Sequence, residues 1–99
     1  MTSEEYKEAQ RKLSNELDQL EASTPEEDLA KRFFKNFGCI NFRDDEFFHE
    51  LNLARMFHTR HMKRHPEAHP GGIVETTPYT CYHQFTCACG FKEAYDSGD

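Results

Sequence analysis

Little of this chain is apolar, and no part of it is apolar for long. Only 36% of its 99 residues are hydrophobic, which is lean for a globular protein. No run approaches the ~18–20 apolar residues a membrane span needs, so no membrane association is expected. Basic charge is scarce too: 12 Lys and Arg stand against 18 Asp and Glu, a formal net charge of −6. That balance disfavours wholesale binding of a phosphate backbone. The opening Met1-Thr2-Ser3-Glu4-Glu5 is acidic where a secretory signal is basic and then apolar. The expectation is a cytoplasmic protein with reduced thiols.

Catalytic signatures are missing as well. His49-Glu50-Leu51-Asn52-Leu53 begins like the zinc-protease pattern but has leucine where the second histidine belongs. Glu46 and His49 have the Glu-x-x-His spacing of di-iron bundles without the second pair those sites require. Walker loop, dinucleotide fingerprint, nucleophile elbow and zinc-deaminase patterns are all absent. The chain is not expected to be an enzyme.

What it does have is four cysteines and six histidines. A core this small is marginal without a staple. Zinc-binding free energies of roughly 10–16 kcal/mol in finger peptides are large beside the ~5–15 kcal/mol stability of ordinary domains, so one metal ion is enough to decide folding. Two disulfides are the competing use of four cysteines, and the missing signal argues against them.

The local patterns predict one α+β domain over residues 1–99, with two or three N-terminal helices and a C-terminal β-hairpin clipped by zinc. Residues 1–22 read as an amphipathic helix opened by a Thr2/Glu5 capping box. Tyr6, Ala9, Leu13, Leu17 and Leu20 form its narrow apolar stripe, suited to the next helix or to a second copy of the chain. Residues 24–65 read as a helical core. Thr24 caps a helix with Pro25 at its first position, Leu29, Ala30, Phe33, Phe34 and Phe37 supply its buried face, and Gly38 is its left-handed stop. Cys39-Ile40-Asn41-Phe42 reads as an extended connection packing inward, with Cys39 a small buried hydrophobe. A further helix starts at Asp44 or Asp45 and ends before Pro66.

On that last helix Phe47, Leu51, Ala54, His58, His61 and His65 fall within a sector of roughly 80° at 100° per residue. The histidines therefore continue an apolar stripe. Pro66 to Gly72 reads as loop, with His69 solvated. Residues 73–96 read as the β-hairpin: Ile73–Thr76 and Tyr79–Cys87 are strands broken apart by Pro78, Cys87-Ala88-Cys89-Gly90 is a tight turn, and Phe91, Glu93 and Tyr95 alternate on the returning strand. The tail from Asp96 to Asp99 is expected to fray.

Two ligand pairs with short spacing are how proteins usually hold zinc. His61 and His65, one helical turn apart, and Cys87 and Cys89, at a glycine-containing turn, make a set of four that closes the tetrahedron, so the single Zn2+ is expected to be structural. His58 and Cys81 are the candidate substitutes. A local set of Cys81, His83, Cys87 and Cys89 is disfavoured, because alternate strand positions spread a pair by roughly 6–7 Å. With three ligands the zinc would be catalytic, and with none, His58, His61 and His65 would join Arg60, Lys63 and Arg64 in a pH-sensitive basic patch.

A capped acidic helical start, a helical His-x3-His and a Cys-x-Cys-Gly hairpin resemble the small zinc-binding proteins abundant in bacteriophage genomes. The resemblance covers His61 through Gly90 by motif. It implies binding to a host or viral macromolecule and modulation or inhibition of its activity, in the host cytoplasm. Two functional classes follow. In one, the chain is a protein-interaction module that uses its acidic helices and the stripe of Tyr6, Leu13, Leu17 and Leu20, including as a homodimer. In the other, Arg55, Arg60, Lys63 and Arg64 dock an accessory or regulatory zinc module on nucleic acid.

Overall fold

Thr2 caps the first helix in both directions its sequence allows. Its hydroxyl accepts from the Glu5 amide at 3.1 Å and its own amide donates to the Glu5 carboxylate at 3.3 Å. Helix α1 then runs Ser3–Ser23. The structure is a computed structural model describing residues 2–39 and 44–96. The inward packing expected of Ile40, Asn41 and Phe42 and the fraying expected beyond Asp96 lie outside the described residues, as does the side chain of Cys39. Among the described residues, three helices and a four-stranded sheet make an α+β fold, in the order α1, α2 (Glu26–Phe33), β1 (Asn36–Cys39), α3 (Asp45–Arg64), a 3-10 turn (Pro66–Ala68), β2 (Val74–Tyr79), β3 (Tyr82–Thr86) and β4 (Lys92–Asp96). No helix among the described residues is long and apolar enough to cross a membrane.

The apolar stripe of α1 is used within the chain. Leu17 is fully buried, and Leu13 and Leu20 pack against the same core. Tyr6 lies beyond that contact and is 58% exposed. Across the α1–α3 seam, Arg60 reaches Asp18 at 2.7 Å, Glu21 at 3.2 Å and the Ser14 hydroxyl at 2.9 Å, while His49 meets Glu16 at 3.0 Å.

Helix α2 is shorter than its periodicity predicts, and Thr24 does not cap it. Thr24 instead ends α1, donating its amide to the Leu20 carbonyl at 2.9 Å. The Pro25 carbonyl serves the first turn of α2 by accepting from Asp28 and Leu29. The helix stops at Phe33, and Gly38 is not a left-handed stop, because Asn36–Cys39 is drawn into the sheet parallel to β4. There Phe37 buries its ring against Phe47 and Phe91. Strand pairing and aromatic burial override local helical preference.

Helix α3 follows its signals closely. Asp44 caps it by accepting from the Phe47 amide at 3.0 Å, and it ends at Arg64 ahead of Pro66. Leu51, Leu53, Ala54, Phe57 and His58 form its buried face, with the Phe33 and Phe34 rings each tilted against Phe57 at 5.5 Å.

The C-terminal segment is more than a hairpin. Its strands combine with β1 in one sheet of order β1-β4-β3-β2. Pro78 does not break the chain into separate strands: β2 passes through it with a register shift between Thr76 and Tyr79. An outer strand tolerates proline because no ladder hydrogen bond is lost there. The break falls instead at Thr80-Cys81, a two-residue turn joining the paired Tyr79 and Tyr82, with Cys81 at a φ of 70°. Under the sheet, Arg55 of α3 bonds the buried Glu93 of β4 at 2.7–2.8 Å.

Candidate metal centre

Three stretches of chain converge at one end of α3. His58 comes from the helix itself, His69 from the end of the 3-10 turn, and Cys87 and Cys89 from the turn between β3 and β4. One ligand atom from each lies within 4.8 Å of all the others.

Each side chain is placed by its local backbone. In the cysteine turn, Gly90 donates to the Cys87 carbonyl at 3.0 Å and Cys87 donates to the Phe91 carbonyl at 2.9 Å. Gly90 holds a φ of 102°, a conformation that glycine adopts without steric cost. Phe91 next to it is fully buried and stacks on the His58 ring at 4.7 Å, so the core itself fixes the turn over the helix. On the other side, Pro66 starts a 3-10 turn in which His69 donates its amide to the Pro66 carbonyl, and Gly72 donates back to the His69 carbonyl at 2.9 Å. The chain thus doubles back. It leaves His69 4% exposed, ringed by Phe34, His58 and His61.

Burial favours the neutral form of both imidazoles and of the Cys89 thiol. His58 is fully buried, and among the described residues neither of its ring nitrogens has a hydrogen-bond partner. Burial, helped by the neighbouring His69 and His61, pushes its pKa down to about 4, so it stays neutral at pH 7 with a lone pair available. His69 is lowered in the same direction, first by burial and then by His61. Burial pushes the Cys89 thiol up to about 11 beside Cys87, so without a cation its proton stays on.

A divalent cation fits these residues. Zinc held by two imidazoles and two thiolates spaces its ligand atoms by about 3.3–3.8 Å along the tetrahedron edges. The His69 Nδ1 to Cys87 Sγ edge is already 3.3 Å. A cation would also give the orphaned His58 ring the partner that the protein does not provide.

The structure brings together two of the four expected ligands, Cys87 and Cys89, but sets them with His58 and His69 where the spacing pointed to His61 and His65. His58 was a named substitute. His69 is not solvated: the 3-10 turn carries it inward. Along α3 the stripe is fully buried at Ala54 and His58 and then runs out, with 13% of the His61 and 39% of the His65 side chain exposed. These two group instead with Glu26 of α2. Cys81 occupies the hairpin tip, and His83 stacks on Tyr95 and bonds Glu75 at 3.1 Å; neither belongs to a metal-capable group among the described residues. His69 carried one usable signal, its position between Pro66 and Pro70, which restrict the backbone on both sides.

The candidate nucleic-acid residues are largely engaged within the chain. Arg55 pairs with Glu93, Arg60 with Asp18 and Glu21, and Arg64 with Glu21 and Glu26; Lys63 is exposed. No family model matches the chain, and neither a curated protein nor a solved structure shows significant similarity to it.

Proposed function

We propose that this chain is a zinc-stabilised interaction module whose one metal ion, held by His58, His69, Cys87 and Cys89, is structural, and whose function is to bind a protein partner. The observation that supports the metal most directly is His58: a fully buried imidazole, unpartnered at both nitrogens, beside two thiols and a second imidazole. Four such donors close a tetrahedron and leave no position for substrate. When bound, zinc cross-links α3, the 3-10 turn and the β3–β4 turn. The residues do the positioning: Phe91 and Gly90 set the thiols, and the 3-10 turn sets His69.

A partner-binding role rests on the surfaces that such a staple holds in place. Glu4, Glu27 and Asp28 are exposed on α1 and α2, so acidic charge remains available. The resemblance to small phage zinc proteins adds the class of activity, modulation or inhibition of a host or viral macromolecule. The nucleic-acid alternative is weakened because Arg55, Arg60 and Arg64 already have carboxylate partners.

Cobalt substitution tests the metal. Thiolate-to-cobalt absorption and tetrahedral ligand-field bands are expected, and both should disappear in His58→Ala and in Cys89→Ser. A spectrum without thiolate bands would sink the site. The partner role is tested by affinity capture from the native cell with wild type and with Glu4→Lys, Glu27→Lys, Asp28→Lys; a partner retained equally by the charge-reversed chain, or none at all, refutes the acidic-face reading.

A further inference from the structure

Between the His58, His69, Cys87 and Cys89 group and the surface stands a second set of metal-ligand types. His61 lies with its Nδ1 2.7 Å from the Nε2 of His69 and its Nε2 3.9 Å from Glu26. The Glu26 carboxylate also meets the Nε2 of His65 at 3.1 Å. Ligand atoms of Glu26, His61 and His65 all lie within 4.8 Å of one another. By residue type alone this is a second cation site.

Counting protons decides otherwise. A neutral imidazole carries one N–H and one lone pair. The His69 nitrogen facing Cys87 is Nδ1, at 3.3 Å, so ligation there puts the proton on Nε2. That N–H needs an acceptor, and His61 Nδ1 is 2.7 Å away. His61 then carries its own proton on Nε2, the nitrogen on the Glu26 side at 3.9 Å, with no lone pair left there for a cation. Filling both groups would set two N–H bonds head to head across the His61–His69 contact, or strip an imidazole of its last proton.

We infer that His61 is a positioning residue of the metal centre, the acceptor whose 2.7 Å contact fixes His69 to bind through Nδ1, and that this pairing closes the Glu26, His61 and His65 group to a second metal. This inference rests on the metal centre proposed above. The surroundings agree with it. The His61 ring is held edge-on to Phe34 at 5.2 Å and against Phe57 at 5.7 Å, so its orientation is set by packing. Arg64 donates to the same Glu26 oxygen at 3.1 Å, so a fixed positive charge already stands beside that carboxylate. His65 lies outside the His61–His69 pair, with its Nε2 3.1 Å from the second Glu26 oxygen and its Nδ1 3.3 Å from Glu67.

Zinc titration of the full chain with three variants tests the assignment. His61→Phe keeps a ring in the aromatic pocket and removes the acceptor; affinity should weaken by about 10–100-fold, the usual effect of losing an outer partner. His61→Asn places a carbonyl oxygen near the Nδ1 position and should recover most of the loss. His65→Ala should bind as the wild type does. Nitrogen-15 NMR of histidine-labelled, zinc-loaded wild type adds a readout independent of variant folding: His69 bound through Nδ1 with a protonated Nε2, and His61 protonated at Nε2. A second zinc equivalent lost in His65→Ala, an unchanged affinity in His61→Phe, or His69 bound through Nε2 would each overturn the inference while leaving the centre intact. A wild type that takes up no zinc would defeat the centre itself.

Discussion

At the scale of single residues, His58 sets the logic of the site. Both its ring nitrogens are shut away from water with no hydrogen-bond partner among the described residues, and an unmade buried hydrogen bond costs about 1–3 kcal/mol. In the metal-free chain His58→Phe removes that penalty in nearly the same volume, so stability measured by urea unfolding in chelator should rise by about 1–3 kcal/mol. The same variant should take up no zinc. A drop in metal-free stability would show that the imidazole is satisfied without a metal. The thiol gives the pH dependence. In the metal-free chain Cys89 holds its proton up to about pH 11, whereas as a zinc ligand it is a thiolate. Loading therefore releases at least this proton across pH 6–8, and the sign is fixed: acid opposes binding. Apparent zinc affinity should fall at least about tenfold for each unit of acidification in that range. A pH-independent affinity would exclude Cys89 as a ligand. His58, depressed to about 4, adds no proton release near neutrality.

The legibility of the site in sequence follows the same residues. Cys87 and Cys89 announced themselves by a turn glycine, and His58 by its place on an apolar stripe. The choice of His58 over His61 lies beyond a one-helix projection, because both share a face and only the position of the cysteine turn, fixed by Phe91, separates them. His69 was hidden by its loop composition, which describes polarity and says nothing about a 3-10 turn folding back over a helix end.

Among the elements, those defined by local chemistry were the readable ones. The caps at Thr2 and Asp44 and the stop before Pro66 bound α1 and α3 where their side chains place them. The end of α2 was not readable, since Phe37 fits a helical period and leaves it only for a strand partner more than fifty residues away, Glu93. The same holds for Pro78, whose effect depends on lying in an outer strand. Two substitutions probe elements directly. Leu17→Ala empties a fully buried site on α1 and should cost about 2–5 kcal/mol. Because that stripe packs on its own chain, wild-type stability should be the same at low and high protein concentration; a midpoint rising with concentration would mean α1 is completed by a second copy. Gly90→Ala meets no atom within 4 Å but forces a φ of 102° on a residue with a Cβ. The turn should lose at least about 1 kcal/mol by urea unfolding, and zinc affinity should fall with it, since both thiols ride on that turn. An unchanged midpoint would show that the turn relaxes without glycine.

For the whole molecule, the balance of forces is uneven. The helices share a continuous core through Leu17, Leu29, Phe33, Leu51 and Phe57, reinforced at its edge by the Arg60 and Arg64 ion pairs, whereas the sheet reaches that core chiefly through Phe37, Phe91 and the Arg55–Glu93 pair. The metal-ligand group lies across the boundary, taking His58 from the helical side and both thiols from the sheet side. Removing zinc should therefore act unequally. Hydrogen exchange after chelation is expected to show protection lost at the Cys87 and Gly90 amides and along β3 and β4, while α1 and the first half of α3 keep theirs, because local stability follows the contacts each unit retains. The β1 amides should follow the sheet, since their strand partner is β4. An equal loss everywhere would mean that the helices have no stability apart from the sheet, and no loss anywhere would mean that the apolar core suffices and the four ligands are not a staple. The first outcome would make zinc a condition of folding for the entire chain; the expected one makes it the joint between a self-sufficient helical layer and a sheet that depends on it.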